Sequence, residues 1–372
     1  MSGKSGGRNY FMDVVKLILT VFVFINHTLD FKEGTVWPEK ILYTGGLGWV
    51  CVHYFFVISG FLMVMSFFRR REQEEASPGR SAAAFVWRKF RSIGLQYYAA
   101  LIPAVGVYLY TVRDRLSLGY LSNFSFHLIP EMLLINRVGI DPIYINLPTW
   151  YIQCMLLCMI PLYCLLCRNS RIFLNVIAPM GALLGLSFMF RQDSIFISAK
   201  GQDLLLTNGL IRGFTGLLCG CCGYLIYERL RGARLTKAQH RLFSVLEVLL
   251  YLWMIIGCFT DHADTKGHFL AMLLIPPATA LSFSGAGVTG GLFSSPVFSR
   301  LGGISLALYL NNWSARRLVM VFFPGMSWTR STAYMAAFTV GLCLVYWLII
   351  AICRALWSHG LKELFTLEKR TE

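Results

Sequence analysis

The sequence predicts an all-α protein, a polytopic membrane helix bundle of about ten transmembrane helices with both termini cytoplasmic. Three observations carry this reading. Of 372 residues, 56% are hydrophobic and only 14% charged, against roughly 25% charged in soluble domains. Apolar residues recur in runs of about 20, the length that crosses hydrocarbon. The connections between runs alternate between basic and neutral.

The runs fall at 11–29, 46–67, 92–110, 149–167, 172–190, 209–227, 242–259, 267–284, 302–323 and 333–353. Lys4 and Arg8 before the first run resemble a signal peptide. No small-x-small cleavage site follows, so the run reads as a retained first helix. One basic connection carries Arg69, Arg70, Arg71, Arg80, Arg88, Lys89 and Arg91 against three glutamates. Another carries Arg229, Arg231, Arg234, Lys237 and Arg241 against Glu228, and the turn at 168–171 holds Arg168 and Arg171. Segments 30–45, 111–148, 191–208 and 260–266 are neutral or slightly acidic. Cations collect on the cytoplasmic side, which places the basic set inside. Arg316, Arg317 and Arg330 run against this bias. Residues 1–372 read as one integral-membrane domain with a cytoplasmic tail from about 358 to 372. Within 111–148, the apolar stretch Met132 to Ile135 folds back onto the membrane surface.

Net charge is +15. These cations lie in short loops between apolar runs, so topology accounts for them and no nucleic-acid partner is implied. The 11 cysteines sit in or beside apolar runs, without a hydrophilic Cys/His cluster. They read as packing residues, and no metal site is expected. Gly285-Ala-Gly287-Val-Thr-Gly290 has the letters of a dinucleotide fingerprint. It follows a membrane helix and lacks the downstream acid, so it reads as a flexible inner loop. The sequons Asn123-Phe-Ser125 and Asn312-Trp-Ser314 carry no argument.

Ionisable residues inside a span are costly and default to function. The first run holds Asp13, Lys16 and His27. His27 lies eleven positions after Lys16, which returns them to one helix face about 16 Å apart along the axis. Asp13 lies one turn below Lys16 and can pair with it. With this topology Lys16 is near the inner mouth and His27 near the outer one. His53, Trp150, Tyr151 and Gln153 also fall in the outer half, although interfacial aromatics are common there. On the inner side, Arg88, Lys89 and Arg91 are either ordinary flanking cations or an anion site for phosphates.

Taken together, these residues resemble the acyltransferase-3 family of polytopic membrane acyltransferases, along essentially the whole chain. The matching elements are Lys16 and His27 with Asp13, and Phe55-Phe56-Val57-Ile58-Ser59-Gly60-Phe61-Leu62. Further matches are Arg88 with Arg91, Pro148-Thr149-Trp150-Tyr151, and Arg212 with Phe214 and Gly220. The last is Gly303-Ile304-Ser305-Leu306-Ala307-Leu308-Tyr309-Leu310. The chain departs where many relatives have His, at Asn312, and where many have Glu, at Gln153-Cys154. Ser92-Ile93-Gly94 stands where a proline often follows the arginine pair.

The resemblance implies acyl transfer, commonly of acetyl, from cytoplasmic acyl-CoA to a hydroxyl of an extracytoplasmic or membrane-bound carbohydrate. It implies no bound cofactor, with acyl-CoA as co-substrate. His27, Lys16 and Asp13 are then the expected catalytic set, with His27 as general base or covalent relay. Arg88, Arg91 and Ser59 are expected at the donor. Trp150, Gln153, Tyr309, Asn312 and His53 are expected to orient acceptor or carbonyl. The expected partners are acyl-CoA, a carbohydrate and membrane lipid, and the expected location is the inner or plasma membrane. A glycan exporter or other polytopic transporter is the alternative, and a catalytically weakened relative acting as a binding partner is a third reading.

Charge asymmetry makes a direct prediction. Reporter fusions or accessible cysteines placed at Gly34 and Gly232 report opposite sides of the membrane; finding both on one side contradicts the ten-span reading.

Overall fold

The computed structural model describes residues 9–28, 31, 48–70, 77–135, 145–191, 202–203, 206–257, 265–289 and 297–357. The expected tail at 358–372 and, apart from residue 31, the expected outer segment at 30–45 lie outside these. Eleven helices account for nearly all described residues. They are α1 (Tyr10–Asn26), α2 (Trp49–Arg70), α3 (Pro78–Thr111), α4 (Leu118–Met132), α5 (Trp150–Arg168), α6 (Ser170–Arg191), α7 (Asn208–Arg231), α8 (Lys237–Gly257), α9 (Thr265–Ser284), α10 (Val297–Phe322) and α11 (Trp328–Leu356). Each of the ten predicted runs falls on a helix. Seven of the helices are long and apolar enough to cross a membrane: α2, α3, α5, α6, α7, α8 and α11. Among the others, α1 has 17 residues, and α10 is long but diluted by polar groups such as Asn311, Asn312 and Ser314.

Local chemistry sets the helix ends. The Asn9 side chain caps α1 by accepting from the Met12 amide at 3.4 Å, while its Nδ2 donates to the Ser282 carbonyl at 2.9 Å. Asn9 therefore both starts α1 and ties it to α9. Ser117 caps α4, and Pro78 occupies the first turn of α3, where a missing N–H does no harm. A π-helical turn at Phe173–Ile177 interrupts α6.

Burial separates centre from edge. The most apolar windows of α2 and α7 are 78% and 72% buried, whereas that of α11 is 17% buried. At the centre α2 and α7 cross in parallel at two glycines. A Cβ on Gly60 would collide with the Leu217 carbonyl, and one on Gly220 with the Val57 carbonyl. Small residues let membrane helices approach backbone to backbone. Cys154, Cys158, Cys219 and Cys221 are buried around this crossing, and the Cys158 thiol donates to the Leu210 carbonyl at 3.5 Å.

Around this centre, α1 packs along α10, and α3 packs against α5, α10 and α11. The α1–α10 pair is parallel. Thr20 meets Ser305 and His27 meets Asn312, so seven residues on one helix match seven on the other. Parallel packing needs an odd number of crossings between them, and seven of the expected runs lie there.

Two expectations change. The segment 285–289 is not loose. Glu247 of α8 is fully buried and accepts from Ser282 Oγ at 2.5 Å, from the Thr289 amide at 3.1 Å and from the Thr289 hydroxyl. The segment after α3 does more than lie on a surface: α4 returns against α3, where Tyr97 and Tyr98 hydroxyls donate to the Glu131 and Met132 carbonyls at 2.7 and 2.8 Å.

Overpacking a helix crossing costs roughly 1–3 kcal/mol. Gly60→Val and Gly220→Val are therefore expected to lower the thermal midpoint of the purified protein. Gly79→Val, whose Cβ meets nothing within 4 Å, leaves it unchanged. Wild-type stability in Gly60→Val contradicts the crossing.

Candidate active site

Between α1, α2, α3, α5 and α10 lies a cavity of about 180 Å³. Its walls are Lys16 and Thr20 from α1, Phe55, Ser59 and Leu62 from α2, and Lys89 and Ile93 from α3. Tyr151 and Met155 of α5 and Ser305 and Tyr309 of α10 complete it. The helix directions put Lys16, Leu62 and Lys89 at the basic end. At the other end Phe55, Tyr151 and Tyr309 form an aromatic box with ring centroids 5.8–6.4 Å apart.

The basic end holds two cations and one carboxylate. Asp13 is buried, and its Oδ1 lies 3.9 Å from Lys16 Nζ. That pair leaves Lys89 as a second ammonium facing the same space. Arg88 is half-buried and Arg91 exposed, and neither lines the cavity. The α3 face that turns inward carries Lys89 and Ile93, so the arginine pair sits on the neighbouring face.

In the middle, hydroxyls are already spoken for. Tyr151 donates to the Phe55 carbonyl at 3.0 Å, so the 2.9 Å contact between Ser59 and Tyr151 is made by the serine proton. Tyr309 donates to the Pro148 carbonyl at 2.5 Å. Ser59 and Tyr309 therefore hold helices together and offer the slot apolar edges. Thr20 and Ser305 share a 2.7 Å hydrogen bond on its α1–α10 wall.

One turn beyond Tyr309 on α10 is Asn312, and two turns beyond Thr20 on α1 is His27. His27 Nδ1 lies 2.6 Å from Asn312 Oδ1. The Asn312 amide cannot be reversed, because its Nδ2 donates to the Leu308 and Tyr309 carbonyls, both at 3.0 Å. An amide oxygen only accepts, so His27 donates from Nδ1, and in the neutral ring the lone pair is then on Nε2. Trp313 meets the imidazole edge to face at 5.3 Å, and the Arg316 guanidinium lies over that indole at 4.5 Å. His27 is thus a histidine of set tautomer and orientation.

A second polar group surrounds the start of α5. Thr149 Oγ1 lies 3.2 Å from a carboxylate oxygen of Glu131, which is 2% exposed. Gln153 is buried and donates to Thr149 Oγ1 at 3.5 Å. Trp150 lies under the Arg212 guanidinium, 5.5 Å from the ring centre. His53 is fully buried within α2 and does not line the cavity. The structure thus brings Lys16, Ser59 and Tyr309 to one slot and joins His27 to Asn312 one helical turn beyond its aromatic end. Trp150 and Gln153 fall in the adjoining polar group.

Three contributors had little signal in the sequence. Glu131 stands in an apolar stretch, 128–135, and an ionisable residue there was the available clue. Lys89 was visible only as one of three flanking cations. Arg317, against the charge bias, stacks over Tyr108 at 4.8 Å, so aromatic packing answers for it.

The chain belongs to the acyltransferase 3 family: the family's acyltransferase-domain model matches residues 9–354, nearly the whole length. It is thus a multi-pass membrane acyltransferase. No curated protein and no solved structure matches it.

If Asn312 sets the imidazole, Asn312→Ala lowers kcat while leaving the KM for the acyl donor within about twofold. The loss is a fraction of the 10²–10⁴-fold worth of a general base, on the order of tenfold to a hundredfold. Steady-state kinetics decide this, and an unchanged kcat means the hydrogen bond is only structural.

Proposed function

We propose that this acyltransferase moves an acyl group, acetyl in the simplest case, from cytoplasmic acyl-CoA to a hydroxyl of a carbohydrate. The acceptor is presented on the far side of the cell's inner or plasma membrane. The observation that carries the reading is a single line of groups: the two lysines, a narrow slot with apolar edges, and a histidine oriented by an amide.

The slot suits a pantetheine arm, which is thin and mostly apolar. Lys16 and Lys89 sit where phosphates would stop, and Arg88 and Arg91 flank that mouth on α3. Neutralising Lys16 with Asp13 leaves Lys89 to attract the anion, and lysine serves such groups as a point charge. At the outer end, His27 Nε2 takes the proton of the acceptor hydroxyl as its oxygen attacks the thioester carbonyl. The carbon–sulfur bond breaks, and the imidazolium returns its proton to the departing CoA sulfur. Nδ1–H stays on Asn312 throughout, which favours the imidazolium by keeping its hydrogen bond.

A polyhydroxyl acceptor is supported by what lies near this end. The Trp313 indole N–H and the side-chain oxygens of Gln153, Asn146 and Asn208 are buried and make no hydrogen bond among the described residues. Sugar hydroxyls both donate and accept, so they answer a donor beside His27 and several acceptors around Trp150. Flat indoles also suit a pyranose face.

Purified protein supplied with acetyl-CoA and a candidate glycan releases free CoA thiol and adds one acyl mass to the glycan. His27→Ala is expected to cut transfer by about 10²–10⁴-fold with acyl-CoA binding near wild type. Lys89→Ala is expected to weaken donor binding by about 1.5–3 kcal/mol, as for charged hydrogen bonds, while sparing kcat at saturation. Lys16→Ala is a poorer probe because it strands the buried Asp13 carboxylate. Transfer within threefold of wild type in His27→Ala removes the histidine from the chemistry.

A further inference from the structure

A second and larger cavity, about 680 Å³, opens at the basic end of the bundle between α2, α6 and α7. It shares no residue with the slot described above, and α5 rather than α6 walls that slot. Arg69 lies in the last turn of α2, Arg171 lies in the first turn of α6 and Arg231 ends α7, and all three line it. Glu228 offsets Arg231 through a 3.1 Å ion pair and is itself held by the Tyr224 hydroxyl. Among the described residues neither Arg69 nor Arg171 has an ion pair. Counted over its described lining residues, the cavity therefore keeps an excess of two positive charges.

Its deeper wall is apolar. Met65 and Leu174 are buried there, and Phe68 stacks on Tyr224 with centroids 5.4 Å apart and planes 6° from parallel. Leu174 and Asn175 of the α6 wall belong to the π-helical turn Phe173–Ile177, a rare geometry that concentrates at functional sites. The outer face of α6 beside it, Ile172, Val176, Met180 and Leu183, is 51–54% exposed and repeats at helical spacing. That is a lipid-facing stripe. The cavity thus joins a cationic rim at the helix ends to an apolar wall bordered by lipid.

The geometry points to a binding site for an anionic phospholipid of the inner leaflet, with its phosphate on Arg69 and Arg171 and its upper acyl chain against Phe68 and Leu174. Guanidinium forks match phosphate oxygens in pairs, and juxtamembrane cations attract anionic headgroups. A soluble phosphate shares the headgroup chemistry but makes no use of the apolar wall.

The test is native mass spectrometry of the detergent-purified chain after incubation with phosphatidylglycerol or phosphatidylcholine. The wild type is expected to retain phosphatidylglycerol preferentially. Arg69→Gln with Arg171→Gln is expected to lose about tenfold or more of that retention, and Arg69→Lys with Arg171→Lys to keep most of it. Acyl-transfer rates within about twofold of wild type show that the variants are folded. Should the glutamine variant not fold, competition on the wild type decides: inorganic phosphate and coenzyme A at millimolar concentration leave the lipid bound. Equal retention of the two lipids overturns the proposal, as does unchanged retention in the folded glutamine variant. Displacement by coenzyme A overturns it in favour of the donor's nucleotide, and displacement by phosphate in favour of a free anion.

Discussion

The parallel contact between α1 and α10 is the constraint on which the site depends. Two hydrogen bonds seven residues apart on each helix, Thr20 with Ser305 and His27 with Asn312, lock their relative height and rotation. Sliding one helix by a single residue, about 1.5 Å, breaks both. Within a bilayer there is no hydrophobic drive to hold helices in register, so packing and such polar pairs have to do it. The same contact that sets the register sets the tautomer of His27. Position and chemistry are therefore fixed by one interaction.

The rest of the bundle supports that pair from a distance. The crossing of α2 and α7 at Gly60 and Gly220 draws α7 inward and leaves α2 free to present Phe55, Ser59 and Leu62 to the slot. Tyr151 and Tyr309 spend their hydroxyl protons on backbone carbonyls, which fastens α5 to α2 and the turn before α5 to α10. Among the described residues the three buried carboxylates each have company: Asp13 with Lys16, Glu131 with Thr149 and Tyr97, Glu247 with Ser282 and Thr289. Buried polar groups on such terms rigidify a bundle.

Periodicity and charge bias made the helices legible, because length and apolarity are local properties. The shared face of Lys16 and His27 was legible for the same reason. Gly60 and Gly220 were visible as motif letters, but their reason, one backbone resting on another, is tertiary. The partnership of His27 with Asn312 spans 285 residues, and no window of sequence contains both. On letters alone Asn312 reads as a missing histidine; in the fold it is the group that orients the one present. Lys89 displaced Arg88 and Arg91 at the cavity because which face of α3 turns inward depends on its neighbours. Ser59 and Tyr309 line the slot as the motifs suggest, yet their protons are committed elsewhere. Glu131 hid in a segment that lacks the length of a span and therefore escaped a search for charges inside spans.

In the proposed mechanism donor and base lie on one line, from the lysine pair through the slot to His27. A structure of the protein bound to a nonhydrolysable acyl-CoA thioether tests it most directly. The account predicts pantetheine density between Lys16, Lys89 and the Phe55–Tyr151–Tyr309 box, with the acyl carbonyl beside His27 Nε2. An analogue bound along another path, with its acyl end remote from His27, contradicts it.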